Sequence, residues 1–160
     1  MHIPLLGKVM RFCDLEPGAI DAIRGITRSV YVDRGSTPQE ILDAVTLAQY
    51  VDDRSIVSAM PCGEGVQVEV VFFKVGGYCH NDDLANNYER RGLKPVDPYS
   101  LAVVNKTDRT LATKYPNGSI WKGADGEWCL IRFSSCGNVP NVTVRRADIS
   151  AFEWAAGIRE

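Results

Sequence analysis

The run Val66-Gln67-Val68-Glu69-Val70-Val71-Phe72-Phe73-Lys74-Val75 changes character half-way along. Its first half alternates Val66, Val68 and Val70 with Gln67 and Glu69, the period of two that marks a strand with one face in solvent. From Val71 onward the second face turns apolar as well, through Val71 and Phe73. A strand that begins half exposed and ends buried on both sides needs cover above and below, so this run is expected to be the central strand of the molecule.

Upstream, Pro61-Cys62-Gly63-Glu64-Gly65 joins this run to a second expected strand at 55–60. Thr37-Pro38-Gln39-Glu40 is a helix start. Thr37 can accept from the Glu40 amide while Glu40 reaches back, and Pro38 suits the first helical position. The helix is expected to run to about residue 51 on the stripe Ile41, Leu42, Val45, Leu47 and Ala48. Nearer the amino end, 9–12 and 29–33 read as strands, and Ala19, Ile20, Ile23 and Ile26 fall on helical spacing.

Downstream of Gly76-Gly77, Asn81 or Asp82 can cap a helix through Arg91, with Gly92 as its left-handed stop and Pro95 beyond. Asp97-Pro98 starts another helix to about Lys106, and Asp108 opens a short one ended by Pro116. Residues 119–122, 127–134, 139–146 and 152–159 alternate with period two between glycine-bearing turns, an expected antiparallel meander. The expectation is α+β: one domain over residues 1–160 with a mixed or largely antiparallel sheet, a carboxyl-terminal antiparallel meander and four to five helices. Its one composition shift lies near residue 76.

The bulk composition selects no function. Net charge is -2, and Leu, Ile, Val and Phe number 42 of 160 residues, well above the roughly one-fifth below which chains fail to bury a core. There is no strong field for nucleic acid or anionic lipid, so nucleic acid is an unfavoured partner and no membrane association is expected. Five cysteines with no C-x-x-C pair, and no signal-like run before Met10, predict a reducing, cytoplasmic setting.

Phosphate-loop, dinucleotide-fold, zincin and nucleophile-elbow motifs are all missing from the sequence, and no cofactor is expected. With only His2 and His80 available, histidine chemistry would have to pass through His80. That residue sits in Gly76-Gly77-Tyr78-Cys79-His80-Asn81-Asp82-Asp83, the densest polar cluster of the chain. Cys79, His80 and Asp82 are the catalytic candidates of the loop, and His80, Asp82 and Asp83 its candidate metal ligands, although their spacing matches no established metal motif and no metal is predicted. The plainer reading gives Asn81 and Asp82 to helix capping and Cys79 to the core. Two further features suit binding. Arg90, Arg91 and Lys94 form a basic corner, and Trp121, Trp128 and Trp154 fall in the last strands, where aromatics grip a partner or simply pack.

The order Tyr88-Glu89-Arg90-Arg91-Gly92-Leu93-Lys94-Pro95-Val96-Asp97-Pro98-Tyr99, then Tyr115-Pro116-Asn117-Gly118, Trp121-Lys122, Gly126-Glu127-Trp128 and Ala156-Gly157-Ile158-Arg159, resembles a group of small uncharacterised bacterial proteins carried by mobile elements as phage or integron-cassette cargo. The resemblance covers roughly residues 70–160 and implies a bacterial accessory role without implying an activity. Together these readings predict a non-catalytic binding or interaction module, a homo-oligomer that engages a protein or small molecule through the aromatic strands or the basic corner. The alternative is a small enzyme built on loop 76–83, with or without a divalent metal.

Overall fold

The structure, a computed structural model, describes residues 26–160 and the paths of two short strands near the amino end. Those strands, β1 (His2–Leu5) and β2 (Lys8–Arg11), pair antiparallel with each other. Phe12 of the expected first strand and Ala19, Ile20 and Ile23 of the expected helix lie outside the described residues, while Ile26 opens a strand.

The remaining strands are β3 (Ile26–Tyr31), β4 (Gln49–Val51), β5 (Gln67–Lys74), β6 (Cys79–His80), β7 (Leu93–Pro95), β8 (Asn117–Lys122), β9 (Trp128–Cys136), β10 (Val139–Arg146), β11 (Ile149–Ser150) and β12 (Trp154–Arg159). Eight of them form one sheet in the order β3-β5-β12-β8-β9-β10-β4, with β7 beside β12. Its pairs are antiparallel except for β12 with β8 and β10 with β4, which are parallel. β6 and β11 form a small antiparallel pair of their own. Five helices are described: α1 (Pro38–Val45), α2 (Arg54–Ser58), α3 (Asn81–Arg90), α4 (Pro98–Thr107) and α5 (Leu111–Lys114). The architecture is α+β with a mostly antiparallel sheet.

β8, β9 and β10 follow one another as antiparallel neighbours, but the last strand does not extend that series. β12 crosses to the far side of β8, runs parallel to it and fills the gap to β5. Consequently β5 is an internal strand one place from the β3 edge, and β8 holds the middle of the sheet. The burial pattern of β5 follows its sequence, with Gln67 and Glu69 exposed and Phe72 and Phe73 both buried. β8 is buried from Asn117 through Trp121 although its sequence is partly polar. Its polar groups are satisfied: Asn117 exchanges amide hydrogen bonds with Asn105 at 2.9 and 3.1 Å, and the Ser119 hydroxyl donates to the Val96 carbonyl at 2.7 Å.

Alternate side chains divide the apolar interior in two. Val68, Val70 and Phe72 of β5, Ile131 and Phe133 of β9, and Trp154 of β12 face a large cluster shared with α1, α2, α4 and α5. Phe73, Ile120, Leu130 and Ala155 face a smaller cluster closed by Leu84 and Tyr88 of α3, by Leu93 and by Phe152. Successive strand residues thus serve opposite layers, as the pleat requires.

Two expected elements change type or length. Residues 55–60 were expected as a strand, yet Arg54–Ser58 is helical, because Asp53 accepts from the Ser55 amide at 2.9 Å and caps a turn that buries Ile56, Val57 and Met60 together. That grouping is helical spacing, which the β-branched residues disguise. α1 begins with the expected capping box and Pro38 but stops at Val45. Thr46 there turns extended, its hydroxyl donating to the Pro140 carbonyl at 2.8 Å, and the chain enters β4. Leu47, expected on the helical stripe, is left 84% exposed.

Candidate functional site

The α2–β5 loop and the β7–α4 junction meet over one side chain that the sequence did not single out, Arg34. Its guanidinium donates to the carbonyls of Cys62 (2.7 Å), Glu64 (2.7 Å) and Gly65 (3.1 Å), to the Asp97 carboxylate (2.7 Å) and to the Ser100 hydroxyl (3.1 Å). Asp97 is also the cap of α4, accepting from the Ser100 amide at 2.9 Å and hydroxyl at 2.7 Å. Its side chain is 10% exposed and that of Arg34 is 19%. Gly63 adopts φ 73° at the point where a Cβ would fall 2.3 Å from the Asp97 carboxyl carbon. Only glycine fits there, so the loop lies flat on the helix start.

This stapled loop walls a groove of about 470 Å³, lined by Pro61, Gly63, Glu64, Lys94 to Pro98, Ile120, Trp121 and Ile158. Its floor is apolar and its rim carries two exposed charges of opposite sign, Glu64 and Lys94. Trp121, buried on the sheet, also lines a shallower depression of about 300 Å³ with Ile56, Ala59, Asp125, Cys129 and Arg146. The volume of the larger groove lies within the range of small-molecule sites, and its lining mixes apolar residues with the charged Glu64, Lys94 and Asp97.

The expected site residues fall in different places. Of the three tryptophans, Trp121 is 9% and Trp154 3% exposed, both in the large core cluster, with the Trp154 ring edge-on to Tyr115 at 5.2 Å. Trp128 is half-buried on the other face, donating from Nε1 to Asp82 at 2.9 Å, with the Lys122 ammonium 4.9 Å from its ring. The tryptophans therefore form no common aromatic platform. The basic corner divides too. Arg90 donates to Asn87 at 2.9 Å, Arg91 lies 4.4 Å over the Phe73 ring, and Lys94 alone of the three reaches the groove.

In the loop between β5 and α3, His80 is the N-cap residue of α3 and makes no side-chain cap bond. Asn81, expected as a cap, is fully buried as the first helical residue, donating to the Ala147 carbonyl at 2.8 Å and accepting from the Ser150 hydroxyl. Asp82 turns to Trp128, away from any cap. Cys79 donates weakly to the His80 carbonyl at 3.4 Å, and burial, then the Asp83 carboxylate, push its thiol up from the ordinary value. That is the opposite of thiolate activation. Asp83 opens onto a shallow polar depression of about 560 Å³ along the outer side of α3, with Asn86, Asn87, Glu89 and Arg90. Among the described residues no three His, Cys, Asp or Glu side chains group as a metal ion would require. Among them, too, no helix is long and apolar enough to cross a membrane.

Compared with protein-family models, with curated proteins and with solved structures, the chain matches none.

Proposed function

We propose that the chain acts by binding, and that its ligand is a small amphiphilic organic molecule held in the groove between the stapled loop and the β7–α4 junction. The observation that carries this reading is the groove itself, about 470 Å³ with an apolar floor of Pro95, Val96, Ile120 and Trp121 and the opposed charges of Lys94 and Glu64 at its rim. An apolar body buried on that floor supplies affinity, and a charged end paired at the rim supplies orientation. Arg34 supports the reading from behind, since a loop tied by three hydrogen bonds to a guanidinium that is itself anchored on Asp97 and Ser100 arrives at the ligand already ordered.

The enzyme reading on loop 76–83 has less support. The Cys79 thiol is raised, Asn81 is turned inward and Asp82 is engaged by Trp128. Catalytic constellations gather their groups into one cleft with pKa values matched to the task.

Anilinonaphthalene sulfonate, an amphiphilic anion whose emission rises in apolar surroundings, is a suitable first probe. It is expected to bind saturably near one equivalent per chain, and the Lys94→Glu variant to weaken it by about tenfold, within the range for a lost charge-assisted contact. Lys94 is exposed, so the substitution leaves the core intact. Undiminished binding to Lys94→Glu, or no saturable binding to the parent chain, refutes the assignment.

A further inference from the structure

Among the described residues one buried side-chain nitrogen or oxygen lacks a hydrogen-bond partner, the Nε of Arg132. Arg132 lies in β9, inside the sheet, directly opposite Gly118 of β8 on one side and Thr143 of β10 on the other. Thr143 in turn stands opposite Tyr50 of β4. By register these side chains share the face of Leu130 and Ile120, where the smaller apolar cluster covers only part of the sheet. That cluster ends at Leu130 and at the Phe152 ring, which occupies the space over Gly118, where a Cβ would meet it at 2.5 Å. No residue of β10 or β4 belongs to it. Arg132 therefore stands, among the described residues, just beyond the edge of that apolar cluster.

Every other arginine in residues 26–160 has an acceptor oxygen or an aromatic ring against its guanidinium. Arginine has donors only and does not shed its charge, so it cannot relieve an unmet need by deprotonating. A buried donor without an acceptor destabilises the chain that carries it, and such atoms are rare enough to call for a cause. The surroundings are themselves donor-rich. The amide oxygen of Asn141 accepts from the Ser134 hydroxyl, leaving its NH₂ group to donate elsewhere. Tyr50 is 62% exposed beside Thr143. The carboxylate that follows β4, Asp52, is engaged by Arg145 at 3.9 Å.

The geometry points to an oxyanion site on this face, in which a phosphate or carboxylate group of a small ligand is held by the guanidinium of Arg132, with Thr143 and Asn141 as neutral donors and the Tyr50 ring alongside. The planar fork of arginine matches two oxygens of either group. The site shares no lining residue with the groove and stands or falls independently of it.

The test is the arginine Nε–Hε region of a proton–nitrogen correlation spectrum, with the Arg132 resonance assigned by its loss in Arg132→Lys. Inorganic phosphate and benzoate are titrated separately at constant ionic strength. The Arg132 resonance is expected to move saturably with at least one anion while the other arginine resonances stay in place. Movement with phosphate alone assigns a phosphate ligand, with benzoate alone a carboxylate. Thr143→Val is expected to weaken the effect severalfold, and Arg132→Lys to melt at or above the temperature of the parent chain, because the lysine gives up no partner. The proposal is overturned if neither anion moves the Arg132 resonance, if all arginine resonances move together as screening would make them, or if Arg132→Lys melts more than about 4 °C lower, a loss that would show the guanidinium to be structural.

Discussion

Replacing Arg34 by methionine keeps most of the side chain's length and apolar stem while removing five hydrogen bonds, one of them to the Asp97 carboxylate at 2.7 Å. The losses differ in weight. Cys62, Glu64 and Gly65 are exposed, so water can reach their carbonyls and replaces much of what is lost there. Asp97 is different, because its carboxylate is 10% exposed and keeps only its bonds from Ser100. Removing one partner of a buried pair typically costs about 3 to 5 kcal/mol. With Asp97 still bonded to Ser100, the lower end applies, about 3 kcal/mol. At about 2 to 4 °C per kcal/mol for a chain of this size, Tm falls by about 6 to 12 °C. Thermal unfolding of Arg34→Met, Asp97→Asn and the double variant measures both the loss and the coupling. Asp97→Asn retains a capping side chain but not the charge, so the double variant is expected to be less destabilised than the sum of the two. A Tm for Arg34→Met within about 1 °C of the parent, or strict additivity in the cycle, refutes the view of Arg34 as the clamp of the loop.

Gly118→Ala places a methyl 2.5 Å from the Phe152 ring and 2.6 Å from the Ile131 carbonyl, a backbone atom that cannot swing away, and it is expected to destabilise by about 1 to 3 kcal/mol in thermal unfolding. Glu40 is held below the ordinary carboxylate value by the Thr37 amide and then its hydroxyl. A depressed folded-state value gives stability that is present above the unfolded pKa and is lost as pH falls through the folded one, so Glu40→Gln lowers Tm most at neutral pH, changes it little at low pH, and thereby flattens part of the acid limb of a Tm–pH profile. Alkylation at neutral pH followed by mass mapping is expected to label exposed Cys62 and Cys136 well before Cys79 and Cys129, both of whose thiols are raised by burial; equal rates would contradict the placement of Cys79.

What could be read in advance follows the distance over which each cause acts. The capping box of Thr37 and Glu40, the cap of Asp97 on Ser100 and the left-handed Gly92 all have their partners within a few residues, and each appears in the structure where the sequence puts it. Alternation located β5, β9 and β10 because the pleat writes burial directly into neighbouring letters. Strand order has no such local record. The middle place of β8 was hidden because Asn117 and Ser119 look exposed until Asn105 and the Val96 carbonyl are brought against them. Arg34 was hidden for the same reason, since its partners lie 28 to 66 residues away. In the opposite sense, Cys79, His80, Asp82 and Asp83 looked like a cluster because they are adjacent in sequence, whereas the helix start sends Asn81 inward and Asp82 to Trp128.

The most direct test of the binding account is a map of backbone amide shifts as anilinonaphthalene sulfonate is titrated into the labelled chain. The account predicts that the largest shifts gather at 61–64, 94–98, 120–121 and 158, around the lining of the groove. Shifts centred on residues 79–83, or spread evenly without saturation, would contradict it.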